Sequence, residues 1–355
     1  MVCGMVEIII NGRNVGPGRA VYIVAELSAN HGQNFDQAVR IVQAAKQAGA
    51  DAVKLQTYTP DTITISSRQE YFRVGGGTVW DGRTLYELYG EAYTPWDWHS
   101  KLKQVAEDEG ISLFSSPFDA TAVDFLEEMG VPAYKLASFE LVDIPLIRKM
   151  AATGKPLIMS TGMATIAEIE EAIQTARDAG ARQIALLKCT SAYPADAAEM
   201  NLRTIPALAS RFQFPVGLSD HSIGVAVPVA AVTLGACIIE KHITLSRAAK
   251  GPDSAFSLEP LEFKRMVDAV RTTERALGKV HFGAIGHEVS SLAFRRSLFV
   301  VEDMKQGDMF SDRTVRAIRP SHGLHTRYLS EILGRRAARD IERGTPLSWD
   351  LVEKV

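Results

Sequence analysis

Cysteine is scarce in this sequence, with only Cys3, Cys189 and Cys237 among 355 residues. Three scattered thiols cannot build a disulfide framework or a zinc knuckle, and a reducing cytoplasm is the setting they imply. No stretch approaches the roughly 18 apolar residues that a bilayer crossing requires, and residues 1–14 show no basic segment followed by an apolar one. Membrane insertion and export are therefore disfavoured. Neither sign of charge dominates, because 42 acidic residues face 39 basic ones for a net charge of −3. That balance offers no basic surplus for nucleic acid or an anionic membrane. A Gly-rich phosphate turn is also missing, since the first strand-like run leads into ELSANHGQ without the GxGxxG of dinucleotide-binding folds.

What is present is a repeated alternation. Eight short apolar runs occur at 21–27, 52–58, 112–118, 133–138, 156–162, 184–190, 214–221 and 237–244. Segments with apolar residues at helical spacing follow them, including 35–48, 94–109, 120–129, 165–179 and 260–277. Eight strand-then-helix units predict an α/β fold, a (β/α)8 TIM barrel, over residues 1–280. The connection from Thr59 to Tyr93 exceeds ordinary loop length and carries Gly75, Gly76, Gly77, Trp80, Tyr86, Tyr89 and Tyr93. It leaves the end of a strand where barrel sites form, so it is expected to cover part of the mouth.

Residues 281–291 read as a linker and 292–355 as a small second domain. Within that domain, segments 300–315 and 338–352 repeat an Asp-hydrophobic-x-x-Gly pattern at an offset of 37 residues, matching Asp303 to Asp340, Gly307 to Gly344 and Ser311 to Ser348. Two short strand-turn units hold little chemistry alone, which predicts an accessory role.

Polar residues cluster at the ends of the apolar runs. They are Glu26, Lys54, Gln56, Ser116, Lys135, Ser138, Ser160, Thr190, Ser191, Ser219, His221, Glu240 and His242. One such group could be a satisfied ion pair, but all eight runs behaving alike predicts a shared site, because charged groups are rarely buried without a task. His221 and His242 lie on neighbouring runs, with Asp220, Glu240 and Asp253 close in sequence. Two imidazoles at similar depth suit a divalent metal such as Mn²⁺, Zn²⁺ or Fe²⁺ with positions left for oxygen ligands. Lys54 and Lys135, with Ser116, Ser138 and Ser160, form an expected phosphate cradle. A Schiff-base lysine would need apolar surroundings, and a second lysine and a metal nearby argue against that reading.

Taken in order, AELSANHGQ, VKLQTY, SSPFD, YKLAS, MSTGMAT, LKCTSAYP, GLSDHSIG, IEKHIT and GPDSAFSLEP resemble the sialic acid synthase family, and the tail, with RRSLFV and IRPSHGL, resembles its antifreeze-like SAF domain. Within that family the segment GGTVWDGRTLYELYGEAYTPWDW and CTSAYP are most similar to the pseudaminic acid branch. The resemblance implies condensation of phosphoenolpyruvate with open-chain 2,4-diacetamido-2,4,6-trideoxy-L-altrose and water, giving pseudaminic acid and phosphate with C–O cleavage. N-acetylneuraminate or legionaminate synthesis is the alternative within the family, and a metal-dependent barrel aldolase or hydrolase a more distant one.

By the same resemblance, His221 and His242 bind a divalent metal, Mn²⁺ or Mg²⁺. Lys135, Ser116, Ser138 and Ser160 hold phosphoenolpyruvate, with Lys54 and Gln56 at the same end of the pocket. Ser191 stands where many relatives carry Asn, which shortens that reach. Tyr193, Ser219 and Asp253 face the sugar, and Arg319 reaches the barrel of the other subunit in a domain-swapped homodimer. Glu26 is the first candidate for moving a proton, Asp253 the second, with Lys54 and Lys135 offsetting phosphate charge. Ice binding is not expected of a tail carrying Arg295, Arg296, Arg313, Arg316, Arg319, Arg335, Arg336 and Arg339.

Overall fold

The computed structural model describes residues 7–354 apart from 76, 78, 79 and 250, so Cys3 and Gly76 lie outside the described residues. A short antiparallel hairpin opens the chain, β1 (Ile8–Ile10) with β2 (Arg13–Val15). The eight barrel strands follow as β3 (Tyr22–Glu26), β4 (Ala52–Thr57), β5 (Ser112–Pro117), β6 (Tyr134–Leu136), β7 (Leu157–Ser160), β8 (Ile184–Cys189), β9 (Val216–Asp220) and β10 (Ile238–His242). They are parallel neighbours in chain order, and β10 pairs with β3 to close the barrel. Each strand falls within one of the eight apolar runs, trimmed at the ends where polar residues leave the sheet.

The helices obey the spacing that announced them. Helix Phe35–Gln47 starts where the Asn34 side chain accepts from the Gln37 amide, and it buries Ala38, Ile41, Val42 and Ala45 on one stripe. Helix Ile166–Asp178 begins with a reciprocal Thr165–Glu168 capping box. The helices Ala120–Met129 and Pro260–Leu277 match the sequence-derived limits. Among the described residues no helix is long and apolar enough to cross a membrane.

Outward-facing polar groups between strand and helix are satisfied in chains. His99, in helix Trp96–Asp108, donates through Nδ1 to the Pro95 carbonyl at 3.2 Å and meets Thr57 Oγ1 at 2.9 Å through Nε2; Thr57 Oγ1 in turn lies 2.6 Å from Ser115 Oγ. Burial pulls the His99 pKa down to about 4. The unfolded chain then takes up a proton near pH 6.5 while the folded chain resists it, so this histidine's contribution is complete above that pH and is lost as pH falls from 6.5 towards 4. Glu26 and Glu140, whose pKa values burial raises, titrate with the opposite sign. Comparison with His99→Gln isolates the imidazole. The stability gap between wild type and variant, measured by denaturant unfolding, is expected to narrow by up to about 3 kcal/mol between pH 7.5 and 4.5; a constant gap would refute the assignment.

Contacts divide the chain into two compact units, up to Gly278 and from Lys279. The second unit pairs β11 (Ser297–Val300) with β12 (Val315–Ile318) around a core of Leu298, Val300, Met304, Phe310, Val315, Ile332, Ile341, Leu347 and Leu351. Its internal repeat is structural. The Asp303 carboxylate accepts from the Arg343 amide at 2.7 Å, and Asp340 accepts from the Gln306 amide at 2.9 Å. These are the same bond made in both directions across the repeat. Gly307 and Gly344 take matching left-handed φ values of 86° and 92°, the conformation in which a side chain would be strained.

Candidate active site

Strand alternation sorts the polar residues. On β10, Glu240 and His242 face the interior while Lys241 faces out; on β9, Ser219 points in and Asp220 out. His221 follows β9 directly and returns to the mouth, where its ring lies 5.4 Å from that of His242.

One side of the interior is an ionic chain. Lys54 forms an ion pair with Glu26, lies 3.7 Å from Glu240, and donates to Ser116 Oγ at 3.3 Å. Ser219 Oγ donates to Glu240 at 3.1 Å. All of these are buried. Apart from the Lys54 contact, neither Glu26 oxygen accepts a hydrogen bond among the described residues. Burial, opposed by Lys54 and reinforced by Glu240, raises the Glu26 pKa. Glu240 goes the other way despite its burial, because Lys135 and Lys54 hold it below the usual carboxylate range. The two carboxylates are thereby driven apart, one towards a proton-carrying role and one towards a fixed charge.

A second cluster is built for an anion. Lys135 Nζ donates to Ser160 Oγ at 2.6 Å and to the Leu136 carbonyl at 2.9 Å. The Gly162 amide donates to Ser138 Oγ at 3.2 Å. A Cβ placed on Gly162 would come within 2.4 Å of Ser191 Oγ and 2.7 Å of Ser138 Oγ, so the absence of a side chain opens this cradle. Gln56 faces the same interior, in register with Ser116.

At the mouth the His221 Nδ1 donates to the Thr190 carbonyl at 2.9 Å, which leaves the lone pair on Nε2. His242 Nδ1 is buried and accepts no hydrogen bond among the described residues. Burial and the neighbouring His221 hold the His242 pKa well below its ordinary value, so that imidazole is neutral. Two imidazoles side by side, one with an orphaned nitrogen, fit a divalent cation. Among the described residues no group of three or more His, Cys, Asp or Glu is gathered in metal-binding geometry, so remaining coordination positions would fall to water or substrate oxygen. Asp220, close to the pair in sequence, takes no part: its carboxylate lies behind the sheet, 2.6 Å from Lys241 Nζ.

Asp253 is held by the Ser28 hydroxyl and, at 3.4 Å, by the Ala29 amide, and burial raises its pKa. Ser28 sits at φ 46°, an uncommon left-handed position for a residue with a side chain, which the Asp253 contact supports. Tyr193 packs on His221 at 4.4 Å and on Phe256 at 5.1 Å. The long 59–93 excursion reaches the mouth, because Trp80 lies 5.6 Å from Tyr193 and donates Nε1 to the Pro252 carbonyl at 2.9 Å. Arg319 belongs to the second unit.

Two contributors escaped the strand-end reading. Glu140 lies in the 3₁₀ turn after β6; burial lifts its pKa to about 7, against the pull of Lys135, and its Oε2 has no hydrogen-bond partner among the described residues. Gly162 contributes a backbone amide that no side-chain pattern advertises. The position of each just beyond a strand terminus was the available signal.

Comparison with known proteins adds relatives. Residues 41–282 match the NeuB family model and residues 295–353 the SAF domain model. The chain is 46% identical to a pseudaminic acid synthase of Campylobacter jejuni, over 94% of this chain and 97% of that one. It is 44% identical to a pseudaminic acid synthase of Helicobacter pylori, over 94% and 98% respectively. Among solved structures, the N-acetylneuraminic acid synthetase of Leptospira borgpetersenii in complex with citrate superposes with a TM-score of 0.72 at 31% identity, covering 81% of this chain and 95% of that one.

Proposed function

The chain belongs to the NeuB family and ends in a SAF domain, and on that footing we propose that it makes pseudaminic acid from phosphoenolpyruvate, open-chain 2,4-diacetamido-2,4,6-trideoxy-L-altrose and water. The observation that carries the reading is near-full-length similarity to pseudaminic acid synthases, joined to a buried anion cradle beside a histidine pair.

Lys135, Ser160 and Ser138, the last oriented by the Gly162 amide, hold the phosphate and carboxylate of phosphoenolpyruvate, with Lys54, Gln56 and Ser116 at the adjoining end and Ser191 at the rim. Fixed donors of this kind need no reorganisation as phosphate charge develops. His221 and His242 would hold a divalent cation, Mn²⁺ or Mg²⁺, which would supply Lewis-acid polarisation of the aldehyde. The C2–C3 π pair of phosphoenolpyruvate forms the new bond from C3 to the aldehyde carbon, the aldehyde C=O π bond breaks and its oxygen takes a proton to become a hydroxyl, and water adds at the electron-poor C2. The resulting phosphate-bearing carbon collapses to the ketone with cleavage of its C–O bond to phosphate. Glu26 accepts the proton of that water, and Asp253 orients a sugar hydroxyl or serves in its place. Tyr193 and Ser219 line the sugar side.

The test is phosphate release with the altrose derivative, the 2,4-diacetamido mannose derivative and N-acetylmannosamine in parallel, each with and without chelation. The altrose derivative is expected to give the highest kcat/KM, and exhaustive chelation to abolish release. Preference for either other sugar would move the assignment to legionaminate or N-acetylneuraminate synthesis. Full activity after chelation would remove the metal.

The working form of this reading is a domain-swapped homodimer in which Arg319 of one subunit completes the barrel of the other. Exposed apolar residues on the loops after β6, β7 and β9, namely Phe139, Val142, Met163, Ile223 and Val225, support a covered mouth. Mixing Arg319→Ala with His221→Ala subunits should partly restore activity, because one site of each heterodimer then carries neither lesion. Verified subunit exchange without recovery would exclude the swap.

A further inference from the structure

We infer that Trp80, delivered by the 59–93 excursion, is a specificity-determining residue that selects a deoxygenated, methyl-terminated sugar over its hydroxymethyl counterpart. The inference rests on the proposed reaction and deepens it.

The geometry starts at the histidine pair. Tyr193 covers His221, Phe256 packs against His242 at 5.0 Å, and Trp80 lies beyond both, 5.6 Å from Tyr193 and 6.5 Å from Phe256. An aldehyde that reacts at the histidines places the far end of a six-carbon chain towards this wall. The hydrogen-bonding capacity of the wall is limited. An indole has one donor and no acceptor, and the Trp80 Nε1 donates to the Pro252 carbonyl. Phe256 has none to give, so of the three rings Tyr193 alone retains a polar group, its phenolic hydroxyl.

A methyl group set against the Trp80 face leaves water at a gain, whereas a hydroxyl against that face gives up water without a partner. An apolar wall of this kind discriminates against an added hydroxyl by no more than about a hundredfold. The same indole N–H ties the excursion to the loop that carries Asp253, the neighbour of Pro252. Trp80 therefore sets both the chemistry of the wall and its position relative to a polar sugar contact.

The experiment compares kcat/KM for 2,4-diacetamido-2,4,6-trideoxy-L-altrose and its 6-hydroxylated counterpart in wild type, Trp80→Phe, Trp80→Ala and Trp80→Gln. Phosphoenolpyruvate affinity is measured by calorimetry on each as a check that the barrel is intact. Wild type is expected to favour the deoxy sugar by roughly 10- to 100-fold. Trp80→Phe should keep most of that ratio. Trp80→Ala should bring it within a few-fold of unity, chiefly through a higher KM for the deoxy sugar at unchanged phosphoenolpyruvate affinity. Trp80→Gln, which offers the hydroxyl a partner, should lower the ratio further. A ratio unchanged in both Trp80→Ala and Trp80→Gln overturns the inference and leaves the proposed reaction standing. Wild type releasing phosphate with neither sugar overturns the reaction itself, and the inference with it.

Discussion

Exchanging Lys135 for methionine is expected to lower kcat/KM for phosphoenolpyruvate by roughly 10²–10³-fold, the usual consequence of removing one preorganised donor from developing charge. Methionine preserves most of the buried volume, so the barrel should persist while the charge disappears. The ammonium is fully enclosed; burial pulls its pKa down and Glu240 opposes that pull. Its hydrogen bonds to Ser160 Oγ and the Leu136 carbonyl fix its direction. The loss should show in both phosphoenolpyruvate affinity and kcat, because in the proposed reaction the lysine meets the phosphate in the ground state and as it departs. Ser160→Ala removes a neutral partner and should cost about tenfold or less. A Lys135→Met variant that binds phosphoenolpyruvate within threefold of wild type would show that the anion sits elsewhere.

The second large effect is on stability. Lys241→Ala is expected to destabilise the barrel by roughly 3–5 kcal/mol, since it strands a buried carboxylate without its partner. Lys241 and Asp220 are both fully enclosed on the outer face of adjacent strands, 2.6 Å apart. Lys241 also donates to the Ser222 carbonyl, while Asp220 accepts from the Ser222 amide at 2.9 Å and its hydroxyl at 2.7 Å. Together they clamp the turn on which His221 is presented. Denaturant unfolding measures the loss, and the double variant Lys241→Met with Asp220→Leu should recover much of it because no charge is left unpaired. A single-variant loss below about 1 kcal/mol would mean that water reaches the pair.

Much of this protein was legible in its residues. Apolar runs of six to eight residues alternating with helical periodicity identified all eight barrel strands, since burial on both faces imposes its own composition. The polar residues that broke those runs come together inside the barrel, where Lys54, Lys135, Glu26 and the histidines are all buried. The repeat linking Asp303 to Asp340 was visible as spacing, and it became a reciprocal pair of hydrogen bonds.

Partnership across the sheet was not legible. Asp220 and His221 are adjacent in sequence, yet one locks onto Lys241 behind the barrel and the other turns to the mouth. Glu26 and Glu240 read alike as strand-end carboxylates, but burial prevails over Lys54 at Glu26 and raises its proton affinity, whereas at Glu240 Lys135 and Lys54 together outweigh burial and lower it. Glu140 and the Gly162 amide enter the site from loops whose paths carry no periodicity. The sequence by itself determined the strands, the helices and the chemical types at the mouth, because hydrophobic period and side-chain chemistry are local properties. Closure of β10 onto β3, and the register that sets Lys241 beside Asp220 and His242 beside Glu26, decided which groups became partners. That choice depends on distances across the barrel between residues far apart in the chain, and only the folded structure supplies them.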